Sequence, residues 1–204
     1  MSINLQEINQ RDSQGIIEQL LQLKQRSICT TNFRPFEAVL IHSLVQYEPK
    51  LPIIWMDSGY NTKETYVFAD KLTQKLNLNL TIYHPQVSKA HYQAIHGEQL
   101  PVIDTPEHDQ FTQLVKIEPF ERALTEQKPE IWWTALRAED SAVRANMKKV
   151  AINQDGLIKA APLLEWTSQD MWQYLQAHDL PNNDHYFDPT KVNEKRECGL
   201  HLKH

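Results

Sequence analysis

A cysteine near the carboxyl end of this 204-residue chain sits among cations. Cys198 follows Lys195 and Arg196 and precedes Gly199 and His201, with only Glu194 and Glu197 opposing them. A thiolate is the strongest ordinary side-chain nucleophile, but an unperturbed thiol, with a pKa of about 8.5, is mostly protonated at neutral pH. Cationic neighbours raise the ionised fraction, and Gly199 lets another group approach the backbone closely. Cys198 is therefore a candidate catalytic nucleophile, with His201 and Arg196 beside it; the plain alternative is a surface thiol in a tail. Cys29 lies between Ile28 and Thr30 in an apolar run and reads as a packed core residue. A working Cys29–Cys198 disulfide has no support in the pattern.

Other residues have the chemistry to hold an anion. Arg137 and Arg144 bracket a polar loop containing Ser141. Two guanidinium forks suit phosphate oxygens, whereas the plain reading is surface pairing with Glu139 and Asp140. Lys116 either donates to a phosphate or is solvated. Asp57-Ser58-Gly59-Tyr60 has the residue types to meet a ribose or base, and equally those of a strand-to-helix turn. Thr30 to Pro35 lies between a strand and a helix, where anions meet backbone N–H groups. It holds no glycine, and Pro35 removes one donor. His84, His91, His96 and His108 lack a tight ligand spacing, so no metal is expected.

Hydrophobic periodicity supplies the elements that must position these groups. Ile16, Ile17, Leu20, Leu21 and Leu23 predict a short helix. Apolar runs predict strands over 27–31, 51–56, 131–136 and 157–161, and alternation predicts one over 78–83. Between them, helices are expected after Pro35 (with Phe36, Val39, Leu40 and Leu44 on the apolar side), over 62–76, over 111–124 with a break or kink at Pro119, and from Thr167 to about His178. Residues 84–108 read as a partly helical surface excursion. Alternating strands and helices predict an α/β fold with a doubly wound, mostly parallel five-stranded sheet. Ligands of such sheets bind outside the carboxyl ends of the strands. The expected organisation is a nucleotide-binding domain over 1–180 and a Cys-bearing tail over 181–204.

Composition excludes several classes. Net charge is −5, against a general nucleic-acid binder, so an anionic substrate would need a locally basic site. No apolar run is long enough to span a membrane, and residues 1–7 resemble neither a signal nor a transit peptide. Two cysteines do not make a disulfide scaffold and fit a cytoplasmic protein.

Together these residues resemble the assimilatory phosphoadenylyl-sulfate (PAPS) reductase family, within the adenine nucleotide α-hydrolase-like fold. Glu197-Cys198-Gly199-Leu200-His201 is similar to the family's catalytic signature. Trp55 to Tyr60 with Glu64-Thr65-Tyr66, Lys116-Ile117-Glu118-Pro119, and Ala135-Leu136-Arg137 with Ser141 and Arg144 follow in the family's order, from about residue 27 to 201. The resemblance implies reduction of PAPS to sulfite and adenosine 3′,5′-bisphosphate through an S-sulfocysteine on Cys198, with thioredoxin or glutaredoxin as reductant. It implies substrate contacts by Lys116, Arg137, Ser141, Arg144, Asp57, Ser58, Gly59, Arg34 and Arg196, and it allows a homodimer. No iron–sulfur cluster is expected, because Thr112 to Val115 lacks the cysteine pair of related adenylyl-sulfate reductases. Two departures stand out: Arg34 takes the place of a loop glycine, and Pro181 to Glu194 is shorter than the family's segment. A non-catalytic nucleotide-binding relative, or a sulfur- or sulfonate-transfer enzyme with another donor, are the alternatives.

Overall fold

The computed structural model describes residues 4–190. Cys198, His201 and Arg196 lie outside the described residues. Among the described residues, helices α1 (Leu5–Ile8) and α2 (Ser13–Leu21) precede strand β1 (Ser27–Thr31). There follow α3 (Glu37–Val45), β2 (Pro52–Met56), α4 (Lys63–Leu76), β3 (Asn79–Tyr83), α5 (Lys89–His96) and α6 (Pro106–Thr112). A π-helical turn over Gln113–Ile117 leads into α7 (Glu118–Gln127). Strands β4 (Ile131–Trp133), β5 (Val150–Ile152) and β6 (Ile158–Ala160) and helix α8 (Ser168–Ala177) complete the fold.

The strands form one sheet in the order β3-β2-β1-β4-β6-β5. All pairs are parallel except β5 with β6. Strand alternation sends Cys29, Ile53, Trp55, Ile131 and Trp133 to one face, where Val39 and Leu40 of α3, Phe68 and Leu72 of α4 and Met171 and Leu175 of α8 cover them. Ile28, Ile54, Met56 and Trp132 go to the other face, under Ile117 and the α7 residues Phe120 and Ala123. Helices on both faces explain why β2 and β4 are apolar throughout. Cys29 is buried in this core, and burial pushes its thiol well above the ordinary range, as a packing residue requires.

The sheet has six strands rather than the five expected. Strand β5 is a three-residue edge strand whose Ala151 and Ile152 are exposed, so it carries no buried apolar run. The expected run 131–136 is a strand only as far as Trp133; Thr134 N still donates to the Ala160 carbonyl (2.8 Å), and the Ala135 carbonyl accepts from Arg34 Nη2 at 2.7 Å. Helix α3 begins at Glu37, two residues past Pro35, because Phe36 adopts a left-handed φ of 70° that ends the loop. Pro119 does perturb its helix. It has no N–H to return to the carbonyl of Val115, and the π-helical turn absorbs the defect through a Glu118 N–H bond to the Gln113 carbonyl.

Sheet topology places the switch point between β1 and β4, since the chain builds outward from β1 in both directions. Residues 181–190 return across the carboxyl edge as a strap. Asn182 Oδ1 accepts from Phe36 N (2.8 Å), Asn183 Nδ2 donates to the Phe33 carbonyl (2.7 Å) and to Thr65 Oγ1 (3.0 Å), and the His185 carbonyl accepts from Thr62 Oγ1 (3.0 Å).

Where α3 meets α8, His42 is buried with Nδ1 2.9 Å from Tyr174 Oη and its ring 4.7 Å from that of His178. Burial first, then His178 and Lys75, push its pKa below the ordinary 6.5. The unfolded chain therefore binds the proton more readily. The stability contributed by neutral His42 is complete above about pH 6.5 and is lost as pH falls through the lower folded value. Urea midpoints should fall between pH 7.5 and 5, and His42→Gln should flatten that slope; an unchanged slope in the variant would assign it elsewhere.

Candidate active site

The loop from β1 to α3 is built without glycine by one buried carboxylate. Glu37, in the first turn of α3, accepts from Thr31 Oγ1 (2.6 Å), Asn32 N (2.8 Å) and Arg34 Nε (3.1 Å). Thr31 Oγ1 in turn accepts from Phe33 N at 2.9 Å. Phe33 takes φ 54°, unusual for a bulky residue, and is held there by complete burial between Trp55 and Phe68. The glycine expected near this position is thus replaced by a packed aromatic and an ion-paired arginine.

Arg34 leans across the switch point. Its Nη1 is 3.1 Å from Asp140 Oδ2, beside the Ala135 contact already described. Burial works against its charge, but the Glu37 and Asp140 carboxylates outweigh that cost and hold its pKa above even the ordinary guanidinium value. Asp140 also accepts from Arg137 Nη2 (2.8 Å, Oδ1) and Arg144 Nη1 (2.8 Å, Oδ2). Three guanidinium groups therefore converge on one carboxylate. Arg137 further meets Glu139 Oε1 (2.5 Å) and Ser168 Oγ (3.1 Å), and lies over the Phe36 ring at 5.1 Å. Ser141 accepts from Arg144 N through its carbonyl (3.1 Å) and its Oγ (3.3 Å), which fixes the start of the Arg144 turn. The pairing with Glu139 and Asp140 exists, but it is not a surface pairing: Arg137 and Arg144 are buried.

A second group lies over β1 and β2. Lys116, in the π-helical turn, is buried rather than solvated, with Nζ 2.6 Å from Asp188 Oδ2 and 3.1 Å from Thr190 Oγ1. Burial alone would raise the Asp188 pKa; Lys116 and Thr190 outweigh it and hold the carboxyl at about 2. Ser58 and Lys116 line one small cavity together with Asn32 and Asn61. Asp57 is committed to its own turn: Oδ1 accepts from Gly59 N (2.9 Å), Asn61 Nδ2 (2.8 Å) and Tyr66 Oη (2.8 Å), while Oδ2 faces His84 Nδ1 at 3.5 Å. Gly59 has φ 79°, which only glycine takes without strain.

The structure thus brings Arg34, Arg137, Ser141 and Arg144 together, places Ser58 and Lys116 on one cavity, and uses Asp57 and Gly59 to shape the turn between. Sequence reasoning missed Glu37, Asp188, Thr190 and Asn183, and saw Asp140 only as a surface partner. A groove of about 890 Å³ lies at the opposite edge, against the amino ends of β1 and β2 near Leu21, Gln25, Tyr47 and Pro52. Ligands of open α/β sheets bind at the carboxyl edge, and this groove holds none of the residues expected to act. Among the described residues, no group of three or more His, Cys, Asp or Glu side chains is arranged to hold a metal ion.

The comparison with known families decides the lineage. A family profile described as "Phosphoadenosine phosphosulfate reductase domain" matches residues 28–189, from β1 to the end of the strap. The chain belongs to this family. A curated relative named phosphoadenosine 5′-phosphosulfate reductase, from Synechococcus sp., is 32% identical and the alignment spans 98% of this chain and 96% of the relative. The crystal structure of the PAPS reductase of Candida auris, a phosphate complex, superposes with TM-score 0.74 at 21% identity, covering 90% of this chain and 91% of that one. The U34-tRNA thiolase NcsA of Methanococcus maripaludis, solved with its [4Fe-4S] cluster, reaches TM-score 0.59 at 12% identity over 89% of this chain and 66% of that one. The fold is therefore shared by different chemistries, and it is the family match that separates the PAPS reductases from the rest.

The buried Asp140 hub has a measurable consequence. Asp140→Ala leaves three guanidinium groups without their shared acceptor and should cost about 3–5 kcal/mol in urea unfolding. A loss below about 1 kcal/mol would mean that the cluster behaves as exposed ion pairs do.

Proposed function

We propose that this chain reduces PAPS to sulfite and adenosine 3′,5′-bisphosphate, through an S-sulfocysteine on Cys198, as a step of sulfate assimilation in the cytoplasm. The observation that carries the reading is the convergence of Arg34, Arg137 and Arg144 at the β1–β4 switch point of a chain in this family. A chain of net charge −5 needs cationic groups gathered in one place to hold a polyanion, and a bound polyanion would compete here with the carboxylates of Glu37, Glu139 and Asp140. Arg137, Arg144, Arg34 and Lys116 would contact the phosphate and sulfonate oxygens, with Ser141 and the Asp57-Ser58-Gly59 turn shaping the pocket. Arg196 and His201 would favour the Cys198 thiolate.

In the first step the Cys198 thiolate attacks the sulfonate sulfur. An S–S bond forms, the S–O bond to the 5′-phosphate breaks, and adenosine 3′,5′-bisphosphate leaves with the electron pair. Fixed guanidinium groups stabilise the charge that develops on that leaving group. In the second step a thiolate of reduced thioredoxin or glutaredoxin attacks the Cys198 sulfur. Sulfite leaves, and the second thiol of the reductant resolves the mixed disulfide. The two electrons come from the dithiol, so no redox cofactor is required. The chain's two cysteines also fall short of the four that an ordinary iron–sulfur cluster takes.

Purified protein given PAPS and reduced thioredoxin should release sulfite, and Cys198→Ser should release none. Arg137→Ala should raise the KM for PAPS about ten- to a hundredfold, the worth of one or two hydrogen bonds to a charged group. Absence of sulfite from the folded protein with either reductant would overturn the proposal; adenosine bisphosphate binding without sulfite would identify a non-catalytic relative.

A further inference from the structure

The strap is anchored at one end by neutral contacts and at the other by a charge. Asn182, Asn183 and the His185 carbonyl bind backbone and hydroxyl groups of the first loop and of the start of α4. Asp188 differs, because it sits on the lysine expected to hold a substrate anion. One of its oxygens takes Lys116 Nζ at 2.6 Å; the other takes Thr190 N (2.9 Å) and Thr190 Oγ1 (2.6 Å). Tyr186 Oη adds a contact to the first oxygen at 3.3 Å. The Lys116 and Asp188 side chains are both almost fully buried.

A carboxylate oxygen and a phosphate or sulfonate oxygen present the same acceptor to an ammonium group. The space left between them is telling. The cavity bounded by Asn32, Ser58, Asn61, Lys116 and residues 186–190 of the strap holds about 20 Å³. That is room for about one water, and far too little for a phosphoryl or sulfonyl group. No such group reaches Lys116 while Asp188 and Pro189 remain in place.

We infer that Asp188 is a competitor carried by the chain itself: the strap's carboxylate occupies the anion subsite at Lys116, and an anionic nucleotide enters only in exchange for it. This inference rests on the PAPS reading for the identity of the nucleotide. The protein then has a closed state, with Asp188 on Lys116, and an open state that binds ligand. Apparent affinity is the intrinsic affinity reduced by the open fraction. Exchange of one anion for another spares Lys116 from being buried without a counter-charge in either state, which is the costly alternative for an ammonium. It also couples nucleotide entry to movement of the segment that leads, eight residues beyond Thr190, to Cys198.

Calorimetry with adenosine 3′,5′-bisphosphate on the full chain tests this. Asp188→Asn weakens the latch without changing its size, and should bind roughly tenfold tighter than the unaltered protein. Thr190→Val, which removes one donor to Asp188 and one acceptor from Lys116, should shift affinity the same way by less, and serves if the first variant does not fold. Adding Lys116→Met to Asp188→Asn should erase the gain, because the subsite itself is then gone. Equal or weaker binding by the folded single variants, with the unaltered protein binding, would overturn the self-competition and leave the PAPS reading standing. No binding by any folded form would overturn the PAPS reading and the exchange with it.

Discussion

Three guanidinium groups share one carboxylate at the place where the sheet changes direction. Arg34 arrives from the loop after β1, Arg137 from the chain beyond β4, and Arg144 from the turn that follows. Like charges do not gather in a buried crevice unaided, and Asp140 makes the gathering tolerable. Much of the carboxyl edge depends on it. Arg34 holds the Ala135 carbonyl just beyond the end of β4. Arg137 ties Phe36 and the first residue of α8 to the same point. Glu37 completes the frame by fixing the loop whose glycine is missing. A conventional loop of this kind would meet an anion with bare N–H groups; this one commits Asn32 N to Glu37 and places the Arg34 guanidinium beside it.

The second feature of the edge is a helix defect put to use. Pro119 cannot donate to the carbonyl four residues back, and the π-helical turn that accommodates it carries Lys116 into the interior. A buried ammonium needs a partner, and the strap supplies Asp188. On the proposed reading, the same edge contains two arrangements in which the protein's own carboxylates stand where a polyanion's oxygens would go. A site of this kind is preorganised, because its cations are held in place before ligand arrives, and it is selective, because a ligand must outdo the resident carboxylates.

Much of this was legible in the sequence. Parallel strands buried on both faces leave apolar runs, so β1, β2, β4 and β6 were visible in residues such as Ile53, Ile54 and Trp132, whereas the mostly exposed β3 showed itself by alternation. Strand β5 was not, because its outer residues are exposed; the Asp155-Gly156 turn between Val150 and Leu157 was the available signal for a hairpin. Arg137, Arg144 and Lys116 stood out by type and neighbourhood, but their burial did not, since burial depends on partners remote in the chain. Asp188 lies 72 residues from Lys116, in a stretch with no hydrophobic period. Glu37 read as one more polar residue at the start of a helix, and only the folded loop shows three donors meeting it. Local chemistry is written locally, whereas pairing between distant charges is set by topology.

The central claim is that this edge presents a bound sulfonate to the thiol of Cys198. Intact-protein mass spectrometry after incubation with PAPS, without reductant, addresses it directly. The account predicts one added sulfonate group per chain, located on Cys198 and removed by reduced thioredoxin. A protein that remains folded and saturated with nucleotide yet gains no such mass, or gains it on another residue, would contradict the account.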